Sequence, residues 1–407
     1  MWRFVTQWFG MLLILFCGIS CTAAGCGSEV EMPLIEPSPD RADVPLPATE
    51  PLLVRLAREE PCNSSRIVLG EEFTCLAVYE VVNARESAAY VRDAKVWVHS
   101  QPAYSVAGIE WDHLHPAMMD LGTIESNGTV KLLFNGVGVE IEPHSSRTFR
   151  VWALIHPVAT ATDPTTAEPR SGDEPFADIL GVTEFDQRPA RIEEEIAGPL
   201  HVIRKSRLTV TIAEIPTRNF HNGRQELFEW TIKADPAGSI GVKQFAFHFE
   251  LSGATVCDLR LHQNDTRGAA PDVDILAISS DRLSSRDLHE NCLTKSNDIV
   301  VAFRGEYLLQ PDATTSFILT ANALVIEPSA KMSVRFLRTR KVVTDGIGCG
   351  DQGFIRFVSD ATMLPGIFWS DRSSVPHVWT PCASSHDWTG DALIADLDRP
   401  QVFDASL

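Results

Sequence analysis

The sequence predicts an all-β protein: two Ig-like antiparallel β-sandwich domains after a signal peptide and a disordered stalk. Three observations carry this. Apolar residues alternate with polar ones at period two, the alternating runs are rich in aromatic and β-branched residues, and Gly, Asn, Asp or Pro interrupts them every ten or so residues. In the first half, Val96 with Val98 and Phe149 with Val151 and Ala153 fall on single strand faces. In the second half, Leu208, Val210 and Ile212 oppose Thr209 and Thr211, then Phe228, Trp230 and Ile232 share a face, as do Phe245, Phe247, Phe249 and Leu251. No long stretch carries a helical stripe, and Ile192-Glu-Glu-Glu-Ile196 reads as one short helical turn at most.

The chain has 407 residues, 44% hydrophobic and 22% charged, with 25 Gly and 25 Pro, an ordinary globular balance. At roughly 100–200 residues per domain, this length predicts two folded domains. Lys and Arg number 35 against 54 Asp and Glu, a net charge of −19. Neutralising phosphates needs clustered positive charge, so nucleic-acid binding is excluded as an expectation.

At the N-terminus, Arg3 precedes the apolar run Phe9 to Ile19, the length of a secretory core and short for a membrane span. Residues 1–25 are read as an export signal. Thr22-Ala23-Ala24-Gly25-Cys26 runs small residues into a cysteine and resembles a bacterial lipoprotein signal, in which the chain is cut before the cysteine and the cysteine is lipidated. The resemblance implies an exported protein anchored to the cell envelope or cell surface through Cys26, with the membrane as a partner. Residues 26–61 are rich in Pro and acids, which disfavours helix and ladder and keeps the segment solvated, so they read as a stalk.

Removal of the signal leaves Cys26 and six further cysteines, an even number in an oxidising compartment. They fall into three local couples, Cys62 with Cys75, Cys257 with Cys292 and Cys349 with Cys382, the expected disulfides. The mature chain has no C-x-x-C and no His-x₃₋₅-His to partner one, which argues against thiolate zinc.

Ile141 to Ala153 and Leu309 to Ala321 repeat one pattern: Pro, then Phe six residues on, then Ala four further. This suggests related domains over 62–205 and 206–407. The Pro-, Asp- and Thr-rich stretch near 157–198 reads as a long loop, and the C-terminal part of the second domain as irregular.

Glu226 to Phe247, the Pro-turn strand at Leu309 to Ala321, and the ending Trp369-Ser-Asp371…His377…Asp387-Trp388-Thr389 resemble uncharacterised exported β-rich surface proteins of small-genome bacteria, which carry Ig-like repeats. Here Gly390 follows Thr389 directly, where that family has Asn before Gly. The resemblance spans about residues 206–400 and implies a fold and a location. It carries no reaction.

In that ending Trp369, Asp371, His377, His386, Asp387 and Trp388 suit a binding cluster, with aromatic faces for a sugar and carboxylates for hydroxyls or Ca²⁺. The same residues suit a bland role: tryptophans as core anchors, aspartates capping turns, histidines at the surface. His113 and His115 are two imidazoles without a third ligand, and Asp265, Asp272 and Asp274 lack a calcium-loop spacing. No metal and no cofactor is therefore expected, Ca²⁺ being the one ion these loops would suit. G-x-S-x-G, a phosphate-cradling loop, a dinucleotide fingerprint and H-E-x-x-H do not occur in the chain, which reads as non-enzymatic. Carboxylate pairs that meet only in space are not visible in a sequence.

The function expected is a non-enzymatic envelope-attached protein, structural or adhesive, whose partner is a surface protein or a glycan. The alternative is a glycan-directed protein, a carbohydrate-binding module or a weakly marked hydrolase. Burial of Trp97, Trp152, Trp230 and Trp369 separates them, because a glycan reader needs exposed aromatic rings.

Overall fold

The computed structural model describes residues 50–57, 60–99, 104–111, 123–124, 129–133, 138–158, 171–193, 196–214, 217–263, 271–278, 285–288, 291–339, 347–349, 354–357, 364–374, 377 and 387–405. Among them the structure is nearly all strand, with one 3₁₀ turn at Pro61–Asn63 and no α-helix. Among the described residues no helix is long and apolar enough to cross a membrane.

The N-terminal strands are β1 (Leu53–Leu56), β2 (Ile67–Leu69), β3 (Phe73–Asn83), β4 (Ala89–Val98), β5 (Tyr104–Trp111), β6 (Thr123–Ile124), β7 (Thr129–Leu133), β8 (Val139–Ile141), β9 (Ser145–Ile155), β10 (Ala177–Glu184), β11 (Arg191–Ile192) and β12 (Val202–Arg204). One sheet has the order β11-β1-β3-β9-β5, the other β10-β4-β7-β6 with β8 beside β4. Their inner faces share a core that includes Val54, Tyr79, Val81, Val96, Phe149 and Val151. Alternation explains it: every second residue of β9, from Phe149 to Ile155, is buried.

The C-terminal strands are β13 (Leu208–Ile212), β14 (Arg218–Asn219), β15 (Gly223–Ala234), β16 (Ile240–Ser252), β17 (Ala254–Gln263), β18 (Val273–Ile278), β19 (Ser285–Asp287), β20 (Asn297–Leu309), β21 (Thr314–Val325), β22 (Lys331–Phe336), β23 (Ile347–Cys349), β24 (Ile355–Phe357), β25 (Ile367–Ser370), β26 (Trp388–Thr389) and β27 (Gln401–Asp404). The sheet β13-β15-β21-β17 faces a larger one, β14-β27-β22-β16-β20-β18-β19, to which β25 and β26 are added through β16. Trp230 sits at the centre of this second core, its ring 5.0–5.7 Å from those of Phe245, Phe247, Phe317 and Phe336. Such offset and edge contacts add to the large apolar burial of each ring.

The two halves repeat one topology. In both, a short strand pairs a long one that pairs the strand after a Pro turn, giving β1-β3-β9-β5 and β13-β15-β21-β17. The turns match in detail, because His144 and Asp312, each directly after the Pro, both take positive φ, 50° and 60°. A register shift also interrupts each central pair, at Cys75/Ala77 and at Glu226/Phe228.

Between the cores lies the ribbon β2-β12, a parallel pair. Ile67 and Leu69 of β2 join the C-terminal core while Val68 joins the N-terminal one, so a period-two strand supplies both. Disulfides Cys62–Cys75 and Cys257–Cys292 are formed, with Cα atoms 5.7 and 4.3 Å apart. Cys349 is disulfide-bonded, while Cys382 and Cys26 lie outside the described residues.

Several expectations are corrected. Leu52 and Val54, assigned to the 26–61 stalk, are fully buried, because β1 pairs β3 and hides its apolar side against the first core. The loop near 157–198 contains β10, paired along β4, and Ile192, the first residue of the expected turn Ile192–Ile196, lies in a strand that pairs β1 in parallel, while residues 194–195 lie outside the described residues. Among the described residues β1-β11 and β14-β27 are short parallel pairs within otherwise antiparallel sheets, and β2-β12 is a parallel two-stranded sheet of its own.

Candidate functional site

The C-terminal ending is brought together as one cluster, and it is closed. β25 pairs both β16 and β26, which sets Asp371, just past β25, beside Asp387, just before β26. Asp371 is fully buried: one carboxylate oxygen accepts from Ser373 N and Oγ (3.2 and 2.7 Å), the other from Ser171 Oγ (2.6 Å) and Lys205 N (2.7 Å). Ser171 also accepts from buried Arg204, 3.0 Å away. Burial pulls the Arg204 guanidinium below its usual range, opposed by the charges of Asp371, Asp387 and Glu174.

His377 bridges two carboxylates, with Nδ1 2.7 Å from Asp387 and Nε2 2.8 Å from Glu306, which Arg372 also pairs. Burial pushes the Asp387 carboxyl up, but bonds from His377, Ser370 and Ser374 outweigh it and hold it below the usual carboxylate range. Trp388 stacks on Phe368 at 5.3 Å, and Trp369 donates its indole N–H to Gly390 O at 3.2 Å. Both tryptophans are at most 1% exposed.

The binding role expected of Trp369, Asp371, His377, Asp387 and Trp388 is therefore corrected: the tryptophan rings present no free face and the aspartates spend their oxygens on internal donors. His377 is not a surface residue either, since Trp388 and the two carboxylates enclose it. The cluster joins parts instead of opening to a ligand, because Ser171, Arg204 and Lys205 come from the N-terminal side and Asp371 from the C-terminal. His386 lies outside the described residues.

Among the described residues no group of three His, Cys, Asp or Glu side chains is arranged to hold a metal ion. Asp272 and Asp274 are paired with Arg304, while Asp265, His113 and His115 lie outside those residues.

The open chemistry is on the outer face of the N-terminal sandwich, along β4 and β10. Trp97 is 40% exposed, and Tyr90, Leu180 and Phe185 are exposed too. Trp97 stands opposite Asp178 across the β4-β10 pair. Its ring lies 3.9 Å from that of His99, which stacks in turn at 3.9 Å on Phe176. His99 Nε2 meets the Asp178 carboxylate at 2.9 Å, which fixes the middle ring. Toward the other end, the Tyr90 hydroxyl donates to Glu140 at 3.1 Å, and Phe185 N donates to Tyr90 O, continuing the ladder beyond β10. Two irregularities of register, at Ile179/Gly181 and at Thr183/Glu184, bend this pair between the aromatic ends.

Of the four diagnostic tryptophans, Trp230 and Trp369 are buried, Trp152 is half-buried against Phe73, and Trp97 is exposed. The strip of Tyr90, Trp97, His99, Phe176 and Asp178 was not found as a site in the sequence. The available signal was β4 itself, where the buried positions Val91, Val96 and Val98 leave Tyr90 and Trp97 on the wet side, with half-buried His99 directly after the strand.

No family model matches the chain, and no curated protein matches it. Among solved structures it is similar to the C-terminal domain of the AgI/II polypeptide BspA of Streptococcus agalactiae, at 7% identity over 70% of this chain and 95% of that one, with a TM-score of 0.22. It is similar to the RrgB pilus protein of Streptococcus pneumoniae at 11% identity over 71% and 48%, TM-score 0.18. A cohesin–dockerin complex of Clostridium thermocellum matches at 10% identity over 38% and 95%, TM-score 0.19. Likeness this distant transfers no activity.

Proposed function

We propose that the protein is exported, tethered to the cell envelope through a lipidated Cys26, and acts there without catalysis, as a structural or adhesive surface protein. The observation that carries this reading is the division of its chemistry: the polar residues of the C-terminal ending are consumed in a closed junction, while an aromatic sheet face stays open. Its disulfides are of the kind that oxidising compartments allow, and its net charge of −19 disfavours nucleic acid. The membrane is reached by the lipid, and the partner, a surface protein or a glycan, by the sandwich.

The test is intact-mass and non-reduced peptide mass spectrometry of the chain expressed in bacteria with its own signal, with protease treatment of whole cells. Diacylglycerol on Cys26 and digestion of the sandwiches from outside are the expected results. A mature chain starting beyond Cys26, or one protected inside the cell, overturns the proposal. A second reading, a glycan-directed protein, is favoured by one observation, the exposed Trp97.

A further inference from the structure

We infer that the outer face of β4 and β10 is a saccharide-binding strip that takes a neutral polysaccharide chain, with Trp97 as its principal stacking platform and Tyr90 and Phe185 as its far end. The inference deepens the surface-binding role proposed above and rests on it.

Three observations single out this occupant. The first is the rings. Sugar rings present apolar C–H faces that lie flat on aromatic surfaces, and Trp97 offers 40% of its surface to solvent on a strand whose other side is locked into the core. The second is preorganisation. Trp97 is backed by His99, His99 by Phe176, and His99 is pinned by Asp178, so little rotamer freedom remains to be lost on binding. The third is polar chemistry. The carboxylates of Asp178 and Glu140 stand beside the rings as acceptors for hydroxyl groups, with exposed Lys95 as a cation on the same strand, while Arg92 pairs with Asp93. A face rich in acceptors, on a chain of net charge −19, suits an uncharged, hydroxyl-rich polymer better than an anionic one.

The geometry is that of an extended ligand. Tyr90 and Trp97 are seven positions apart on one strand, which at about 3.3 Å per residue separates the two aromatic ends by roughly 20 Å. A single sugar cannot touch both, and a chain of several can. Bulges at Leu180 and Arg92 set the curvature between them.

The test is affinity electrophoresis of the full purified chain in native gels that contain β-glucan, mannan, xylan or glycol chitin, with heparin as the anionic counter-probe. Retardation by at least one neutral polymer is expected, weakened at least tenfold in Trp97→Ala, several-fold in a Tyr90→Ala/Phe185→Ala double variant, and largely restored in Trp97→Tyr. Unchanged thermal midpoints in these surface variants separate lost binding from lost fold. No retardation by any neutral polymer, retardation by heparin alone, or retardation that Trp97→Ala leaves intact overturns the inference. If cells displaying the chain adhere to a protein-coated surface and lose this in Trp97→Ala while no polymer retards it, the strip binds protein instead. In that case the adhesive reading stands and the saccharide inference falls. The reverse failure, saccharide binding by a chain that fractionates inside the cell, is seen by the fractionation alone.

Discussion

Asp371 shows how much one side chain can decide. It accepts from Ser171, from the Lys205 amide and twice from Ser373, and its charge faces buried Arg204. Removing the carboxylate strands these buried donors and takes away one of the three charges that offset Arg204, at a cost of about 3–5 kcal/mol. Asp371→Ala is expected to lose that much in urea unfolding, and a loss below 1 kcal/mol would contradict the network. His201 makes a second prediction. Its Nε2 donates to Leu76 O, its Nδ1 is buried with no partner, and burial drops its pKa to about 4. The folded pKa lies below the unfolded 6.5, so this contribution is fully present above pH 6.5 and is lost as pH falls toward 4, about 3 kcal/mol in all. Asp391 runs the other way: burial raises it to about 6, so its contribution is present below its ordinary 3.8 and fades as pH rises through 6. The two oppose each other between pH 4 and 6. His201→Gln, which keeps a donor for Leu76, is expected to flatten the acid limb of the midpoint-against-pH curve and leave the Asp391 limb in place.

Among the elements, strands with strict alternation were legible and strands defined by their partners were not. Leu208–Ile212, Phe228 to Ile232 and Phe245 to Leu251 stand where the pattern put them; the first two bury one face and leave the other at least partly wet, while β16 is covered on both sides through Phe247, with Ala246 in a second apolar cluster. β1 was hidden by flanking prolines and acids, and β10 by a Pro- and Asp-rich neighbourhood. Each exists because a long strand, β3 or β4, offers it a free edge. The paired cysteines were readable as local couples, and two of these couples are bonded. Breaking Cys257–Cys292 with Cys257→Ser/Cys292→Ser is expected to cost about 2–4 kcal/mol, read as a lower thermal midpoint. The segment between β22 and β25 has a tighter constraint. A Cβ at Gly366 would run into the Leu337 carbonyl, while Gly366 N donates to Asp391 and its carbonyl accepts from Ala246 N. Gly366→Ala is expected to cost about 2 kcal/mol or more, and an unchanged midpoint would mean that this turn yields.

At the scale of the molecule, residues 48–407 form one compact unit with two large sandwich cores and smaller apolar clusters around Ala246 and around Trp388. The ribbon β2-β12 gives side chains to both, and Asp371 ties Lys205, at its end, to the C-terminal sandwich. Coupling of this kind predicts one calorimetric unfolding transition for the wild type and two for Asp371→Ala, with the Trp230-centred core melting last. A single transition in both would show that the ribbon alone couples the cores. The candidate site divides along the same line. The ending that looked like a binding cluster is the joint, and the open surface is the aromatic strip on the opposite sandwich.

The sequence by itself determined the all-β class, the repeated strand pattern, the local cysteine couples and the acidic balance, because alternation, turn residues and composition act over neighbouring positions. Only the tertiary structure decided which tryptophans are covered. Trp97 and Trp230 sit on similar strands, yet Trp230 faces the opposing sheet while Trp97 faces water. Exposure depends on whether a second layer lies above a residue, and over Trp230 that layer is assembled from β16, the next long strand, and from β22, about a hundred residues on. The same holds for Asp371, whose partners Ser171 and Lys205 lie 200 and 166 residues earlier in the chain. Long-range pairing of buried polar groups leaves no local pattern to read.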